Sequence, residues 1–334
     1  MNKIVKCMCM MAVVALAFAS CKKQNDVNTQ SFAFNGSTEQ FVSDEGSFER
    51  AYLDGLTVKF EPGDQMEIFN IVNLTGGSQA ALYEVTANMT LDNLSGEVSG
   101  TTNGRYYAFY PGNNVKTNLS NENYASFHLD PVQIHRADAD GNPIIPQAID
   151  SKNPTLRQTA LYMAAKDETA TALPSAYFDF KNICGMLSMK FYSPDGKIVQ
   201  SIELTDRKYN LVGDVHLKIH EVDPVKLTTF FRNIDSHPAE LPGYLADLGY
   251  YVDGDKSNTI TLDCTNNGAT NGVELGRTKE EATRFFMVLR PLALQGGCDI
   301  TIHFYNEDDV VIHSSRDNRI SPNVIRNIAA YNVD

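Results

Sequence analysis

Apolar residues recur at every second position over most of the chain. In Gly55-Leu-Thr-Val-Lys-Phe60, Leu56, Val58 and Phe60 alternate with polar neighbours, and Pro62-Gly63-Asp64 then turns the chain. The same period predicts strands over 66–72, 80–86 and 105–110, the last stopped by Pro111-Gly112. Between 128 and 174 the alternation weakens. Pro131, Asn142-Pro143, Pro146, Asn153-Pro154 and Pro174 predict long loops there around one strand, 161–165, leading to a second domain. Strands are then predicted over 176–180, 184–192, 198–204, 215–219, 225–231, 259–262, 284–289, 298–305 and 310–313, with a turn at Ser193-Pro-Asp-Gly196 and a closing strand over 324–333. No long amphipathic helix is predicted, and 278–283 has room for one or two turns. Short strands broken by turn signals about every ten residues predict an all-β fold of sandwich type.

The start of the chain departs from this pattern. Lys3 and Lys6 precede an apolar run over 10–19, too short to cross a hydrocarbon layer of about 30 Å, and Ala19-Ser20 supplies the small pair before a signal-peptidase cut. Phe18-Ala-Ser-Cys21 resembles a bacterial lipobox, with Phe18 where Leu is usual, and this resemblance implies that Cys21 is acylated and becomes the mature N-terminus. The plainer alternative is a secretory signal that carries a cysteine. Acyl chains at about 0.8 kcal/mol per CH₂ would hold the protein on an outer membrane without a spanning segment. Residues 1–20 thus read as a lipoprotein signal peptide and 21–30 as a flexible tether. The mature body is divided into an N-terminal β-sandwich over 31–174 and a C-terminal one over 175–334.

Composition narrows function. Without Lys3 and Lys6 the mature chain carries 26 basic against 41 acidic residues, a net of −15, which repels nucleic acid. With Cys7 and Cys9 in the signal and Cys21 at the anchor, Cys184, Cys264 and Cys298 remain for the body. They read as buried thiols, with one bridge between two of them as the alternative.

At this point a resemblance can be placed on residues. Arg50-Ala-Tyr-Leu-Asp-Gly-Leu-Thr-Val-Lys-Phe60, Pro62-Gly63-Asp64, Tyr106-Tyr-Ala-Phe-Tyr-Pro111, Pro131-Val-Gln133 and Ala160-Leu-Tyr-Met-Ala-Ala165 follow one another in an order and spacing that resembles the fimbrillin-like family of Bacteroidales lipoproteins. Phe178-Asp-Phe-Lys-Asn-Ile-Cys-Gly-Met-Leu187 and Ile320-Ser-Pro-Asn-Val-Ile325 are similar to that family too, although Phe60 stands where Trp is frequent. The resemblance implies two transthyretin-like β-sandwich domains in series, in a tip, accessory, anchor or structural subunit of a type V pilus. It also implies cell adhesion as the function, other pilus subunits or a host or bacterial surface ligand as partners, and the outer membrane or fimbrium as the location. In such pili a protease cuts after an arginine, and a neighbour's strand fills the groove left behind. Arg50 is the candidate processing site, with an outward-facing basic residue as the alternative reading. The chain stops at Asp334 on its expected last strand, which leans towards a tip, an accessory or a lipoprotein that does not polymerise.

Searches for chemistry find little. There is no G-x-S-x-G, H-E-x-x-H, P-loop or Rossmann glycine pattern, and no cofactor or metal site is expected. His216 and His220 alternate with Val215, Leu217 and Ile219, so on a strand they stand about 13 Å apart. His303 and His313 flank Asn306-Glu-Asp-Asp309 and could meet across a hairpin in one register, as incidental residues or as a weak zinc pair. Asp138-Ala-Asp-Gly-Asn142 reads as a solvated turn, with a weak Ca²⁺ site as the alternative. The tyrosines of 106–110, with Tyr250 and Tyr251, are candidates for stacking on sugars, although one face of that strand must be core. The expected protein is a non-catalytic surface lipoprotein of the fimbrial type. The rival readings are a non-polymerising lipoprotein that binds a glycan or host protein through the 128–174 loops, and, least supported, an enzyme.

Overall fold

A computed structural model describes residues 30–38, 41–43, 65–71, 78–84, 91–96, 105–112, 115–118, 124–149, 157–167, 177–218, 251–290, 292–294, 296–315, 318–320 and 323–334. Among these residues the fold is all-β and no α-helix occurs. The predicted strands at 56–60 and 225–231, together with Cys21, Arg50, His220 and Tyr250, lie outside the described residues.

A seven-stranded sheet runs in the order Ser78–Glu84, Gln65–Ile71, Arg105–Tyr110, Met163–Asp167, Tyr177–Asn182, Gln30–Thr38, Leu91–Gly96. A second sheet runs Arg157–Thr159, Pro143–Ile149, Val132–Ala137, Thr259–Asp263, Ile198–Asp206, Cys298–Phe304, Val310–Ser314. A third runs Val42–Ser43, Val324–Asn327, Gly185–Tyr192, Thr283–Leu289, and a fourth joins Tyr251–Ser257, Val212–Lys218, Tyr124–Leu129 and Val115–Asn118. Alternation explains most of these strands. Cys298–Phe304 buries every second residue, from Cys298 through Ile300 and Ile302 to Phe304. Thr283–Leu289 does not alternate. Its run from Phe285 to Leu289 is buried throughout, because other elements cover both faces.

The described part of 128–174 differs from the expected long loops: besides Met163–Asp167, which overlaps the one strand expected there, it holds Val132–Ala137, Pro143–Ile149 and Arg157–Thr159. One of the prolines that suggested loops, Pro146, is absorbed by an irregularity. Ile144 pairs with Arg136 and Gln147 with Ile134, so Ile145 and Pro146 together oppose His135, and the missing N–H of Pro146 falls in a bulge. Around 278–283, where one or two helical turns had room, Glu281 N donates to Thr278 O at 3.2 Å and Ala282 N to Lys279 O at 3.4 Å, closing a tight turn.

Main-chain pairing also crosses the expected boundary at 174/175. Tyr177–Asn182 pairs with Met163–Asp167 and, in parallel, with Gln30–Thr38, so it completes the sheet of the first half. Val132–Ala137 pairs in parallel with Thr259–Asp263, and Tyr124–Leu129 pairs with Val212–Lys218. The joint itself is pinned from both sides. Ile183 N donates to Tyr162 O at 2.9 Å, Asn323 N donates to Cys184 O at 3.0 Å, and Asn182 Nδ2 donates to Asn323 Oδ1 at 2.6 Å.

The core is aromatic and sulfur-rich, with Phe127, Phe178, Phe180, Phe191, Phe285 and Met66 its largest fully buried side chains. Gln133 is the notable polar insertion. Its amide donates from Nε2 to Val288 O at 2.7 Å and accepts at Oε1 from Val288 N at 2.9 Å, so one side chain closes the free edge of Thr283–Leu289 as a neighbouring strand would.

Candidate functional site

Two places have geometry that bears on function. The first is the setting of Gln30–Thr38. Gln30, Ser31, Phe32 and Phe34 pair antiparallel with Leu91–Gly96, with a register irregularity between Phe32 and Phe34. Asn35 to Thr38 pair in parallel with Tyr177 to Phe180. The strand therefore links two others by opposite halves of its length, and Leu91–Gly96 reaches the sheet's hydrogen-bond ladder through it. Val42–Ser43 then pairs in parallel with Val324 and Ile325 of the third sheet. Gln30–Thr38 and Val42–Ser43 thus pair with strands from both halves of the chain.

The second is a cleft of about 520 Å³ between the turn at 141–143 and the strands Gly185–Tyr192 and Thr283–Leu289. Lys190, Lys279 and Arg284 line it together with Glu280 and Glu281. Register brings the cations together, since Lys190 is directly opposite Arg284 on the neighbouring antiparallel strand. Both side chains are half-buried. Thr278 holds one rim by donating its hydroxyl to Glu281 Oε2 at 3.2 Å. The other rim is the 138–142 turn. Asp138 Oδ1 accepts from Asp140 N at 3.0 Å and from Asn142 N at 2.8 Å, while Asn142 Nδ2 donates to Asp138 Oδ2 at 3.2 Å. These hydrogen bonds, that from the Asn142 side chain first, hold the Asp138 carboxyl below its usual range. The carboxylate shapes its own loop, as the solvated-turn reading expects.

The other sequence candidates separate. Asp299 is opposite His313 and Ile302 is opposite Val310, so the two histidines stand four positions apart along the ladder, about 13 Å, and do not face each other. Each takes a carboxylate: His303 Nδ1 lies 2.8 Å from Asp309 Oδ2, and His313 Nδ1 lies 2.8 Å from Asp299 Oδ1. Arg207, donating to Asp299 at 2.5 Å, is the main cause of the lowered Asp299 pKa, with His313 adding to it. Among the described residues no three His, Cys, Asp or Glu side chains converge to hold a metal ion. Ala108, Phe109 and Tyr110 are all buried, so at that end of the strand neither face is open for stacking. Tyr110 precedes a cis Pro111. His216 lies on Val212–Lys218 and Tyr251 begins Tyr251–Ser257.

Cys184, Cys264 and Cys298 are buried and unbridged. Desolvation pushes the Cys184 thiol up to about 12 and that of Cys298 to about 11, and it raises Cys264 further still. The cleft cations escaped the sequence reading. Lys190 and Arg284 lie 94 positions apart, and only the strand register makes them neighbours.

No protein-family model and no curated protein matches the chain. Solved structures with a likeness to it include a proposed cell adhesion protein from Bacteroides ovatus, with TM-score 0.48, 9% identity, and coverage of 91% of this chain and 93% of that one. Another is a proposed cell adhesion protein from Bacteroides uniformis, with TM-score 0.45, 9% identity, and coverage of 90% and 93%. A fimbrial protein from Bacteroides ovatus gives TM-score 0.38 at 10% identity, over 91% of this chain and 50% of that one. At such identities no residue role passes from them to this chain.

Proposed function

We propose that the protein is a lipid-anchored, non-catalytic surface protein of the fimbrillin-like type, held at the outer membrane through Cys21. It serves adhesion as a tip, accessory or structural subunit that joins other subunits by β-strand addition. The observation that carries this reading is the placement of Gln30–Thr38, which binds the sheet by separate halves and precedes the first arginine of the mature chain, Arg50. A cut after Arg50 would separate that strand, and the lipid with it, from the body. The main-chain groups of Leu91–Gly96 and Tyr177–Asn182 would then stand open to an incoming strand. Main-chain hydrogen bonds would supply affinity there, and alternate side-chain positions would supply specificity.

Limited trypsin digestion of the purified full chain tests this, read by intact mass, size-exclusion chromatography and negative-stain microscopy. Cleavage after Arg50 followed by higher-order assembly is the expected result. A resistant Arg50, or a cut product that stays monomeric, would remove strand addition and leave a non-polymerising surface lipoprotein.

A further inference from the structure

We infer that the outer edge of Thr283–Leu289 is a site for strand addition by a partner protein, whose short extended segment, apolar at its centre, lies in the cleft beside the 141–143 turn. Thr283–Leu289 is the last strand of its sheet, and among the described residues no strand pairs with its outer edge. Gln133 fixes which groups face outward. Val288 N donates to Gln133 Oε1 at 2.9 Å and Val288 O accepts from Gln133 Nε2 at 2.7 Å, so both groups point away from the paired strand Gly185–Tyr192. In an antiparallel ladder residues two apart direct their main-chain groups to the same side, which turns the N–H and C=O of Phe286 outward as well. Phe286 is buried and lines the cleft. The side-chain cover at Val288 therefore ends where the cleft of about 520 Å³ begins, two residues along the same edge.

Gln133 also identifies the occupant. Its carboxamide, donating through N–H and accepting through C=O, is chemically a peptide group, and it completes at Val288 the pair of hydrogen bonds that an added strand would complete at Phe286. From Thr283 to Met287 the edge measures roughly 16 Å, room for about five extended residues. Thr283 closes the far end, its Oγ1 accepting from Gly276 N at 2.9 Å. Pro143, Ala282 and Phe286 line the cleft with apolar surface, which selects an apolar side chain at the centre of the segment. Charged residues of both signs share the rims, so the cleft selects by main chain and shape and not by net charge. This edge belongs to a different sheet from Gln30–Thr38 and needs no cut after Arg50, so it is independent of the assembly reading.

Fluorescence anisotropy on the uncut full chain in detergent tests it, with fluorescein-labelled Val-Thr-Val-Thr-Val as the probe. The peptide should bind saturably. Of two analogues that carry one N-methyl group, on the third or on the fourth residue, one loses an edge-facing donor and the other a solvent-facing one, so their affinities should differ by about tenfold. In native hydrogen exchange the Phe286 amide should slow by about tenfold or more when the peptide is bound, while that of Val288, already held by Gln133, stays unchanged. Gln133→Ala frees a further main-chain pair at Val288 and should tighten binding severalfold, and exchange in the native chain decides the matter if that variant does not fold. No saturable binding, equal affinities of the two analogues, Phe286 exchange unmoved by the peptide, or unchanged affinity in folded Gln133→Ala would each overturn the proposal. So would dimers of the chain that the peptide dissociates, since these assign the edge to a second copy. The trypsin assembly assay reads Gln30–Thr38 separately, and peptide binding should be the same whether or not Arg50 is cut.

Discussion

The opening strands of the two halves are held in different ways. Gly185–Tyr192 pairs on one side with Thr283–Leu289 at seven consecutive positions, and on the other side in parallel with Val324–Asn327 and Tyr331–Asn332. Its residues from Gly185 to Met189 are buried. Gln30–Thr38 has four pairs on each side, made by different halves of the strand. A strand paired along both edges in a sealed core can leave only with global unfolding, whereas one paired piecewise can leave while much of the sheet persists. The difference teaches where strand exchange is physically affordable: in the first half and not in the second.

The largest expected effect breaks the permanent side of that contrast. Phe285→Ala, which removes a fully buried ring packed 6.0 Å from that of Phe191, should cost about 3–5 kcal/mol in urea unfolding. Hydrogen exchange sharpens the other side. Amides of Gln30–Thr38 should exchange at least about 100-fold faster than those of Gly185–Phe191, and equal protection would remove the distinction.

Acid should act on the joint between the sheets through His135. Its ring lies 5.1 Å from that of Phe285, and burial lowers its pKa to about 4. The unfolded chain takes up the proton near pH 6.5 and the folded one only near 4. This contribution is therefore intact above pH 6.5 and is lost as the pH falls towards 4, by about 2–3 kcal/mol. His135→Gln should flatten the stability profile in that window. Gln133→Ala strips both main-chain groups of Val288 of their partner and should cost about 1–3 kcal/mol, measured in the same unfolding assay. The smallest perturbation is chemical. Cys184, Cys264 and Cys298 should resist a charged thiol reagent in the native protein and react after denaturation, as located by peptide mass mapping.

Much of the strand inventory was legible in the residues. The prediction over 284–289 became Thr283–Leu289, that over 310–313 became Val310–Ser314, and the Ser193 to Gly196 turn closes with Gly196 N donating to Ser193 O at 2.9 Å at a φ of +74°. Such features follow from local alternation and turn chemistry, which need no distant partner. Residues 132–149 were misread as loop because proline is a strong local breaker, while its tolerance in a strand depends on a bulge that the partner strand defines.

The sequence by itself determined the all-β character, the acidic balance and the turn positions. Only the tertiary structure decided that sheets continue past 174/175, that His303 and His313 stand apart, and that Lys190 meets Arg284. The physical reason is register. Alternation repeats every two residues and leaves the choice among partners open, and long-range packing selects one pairing because a single-residue slip would turn every buried side chain outward.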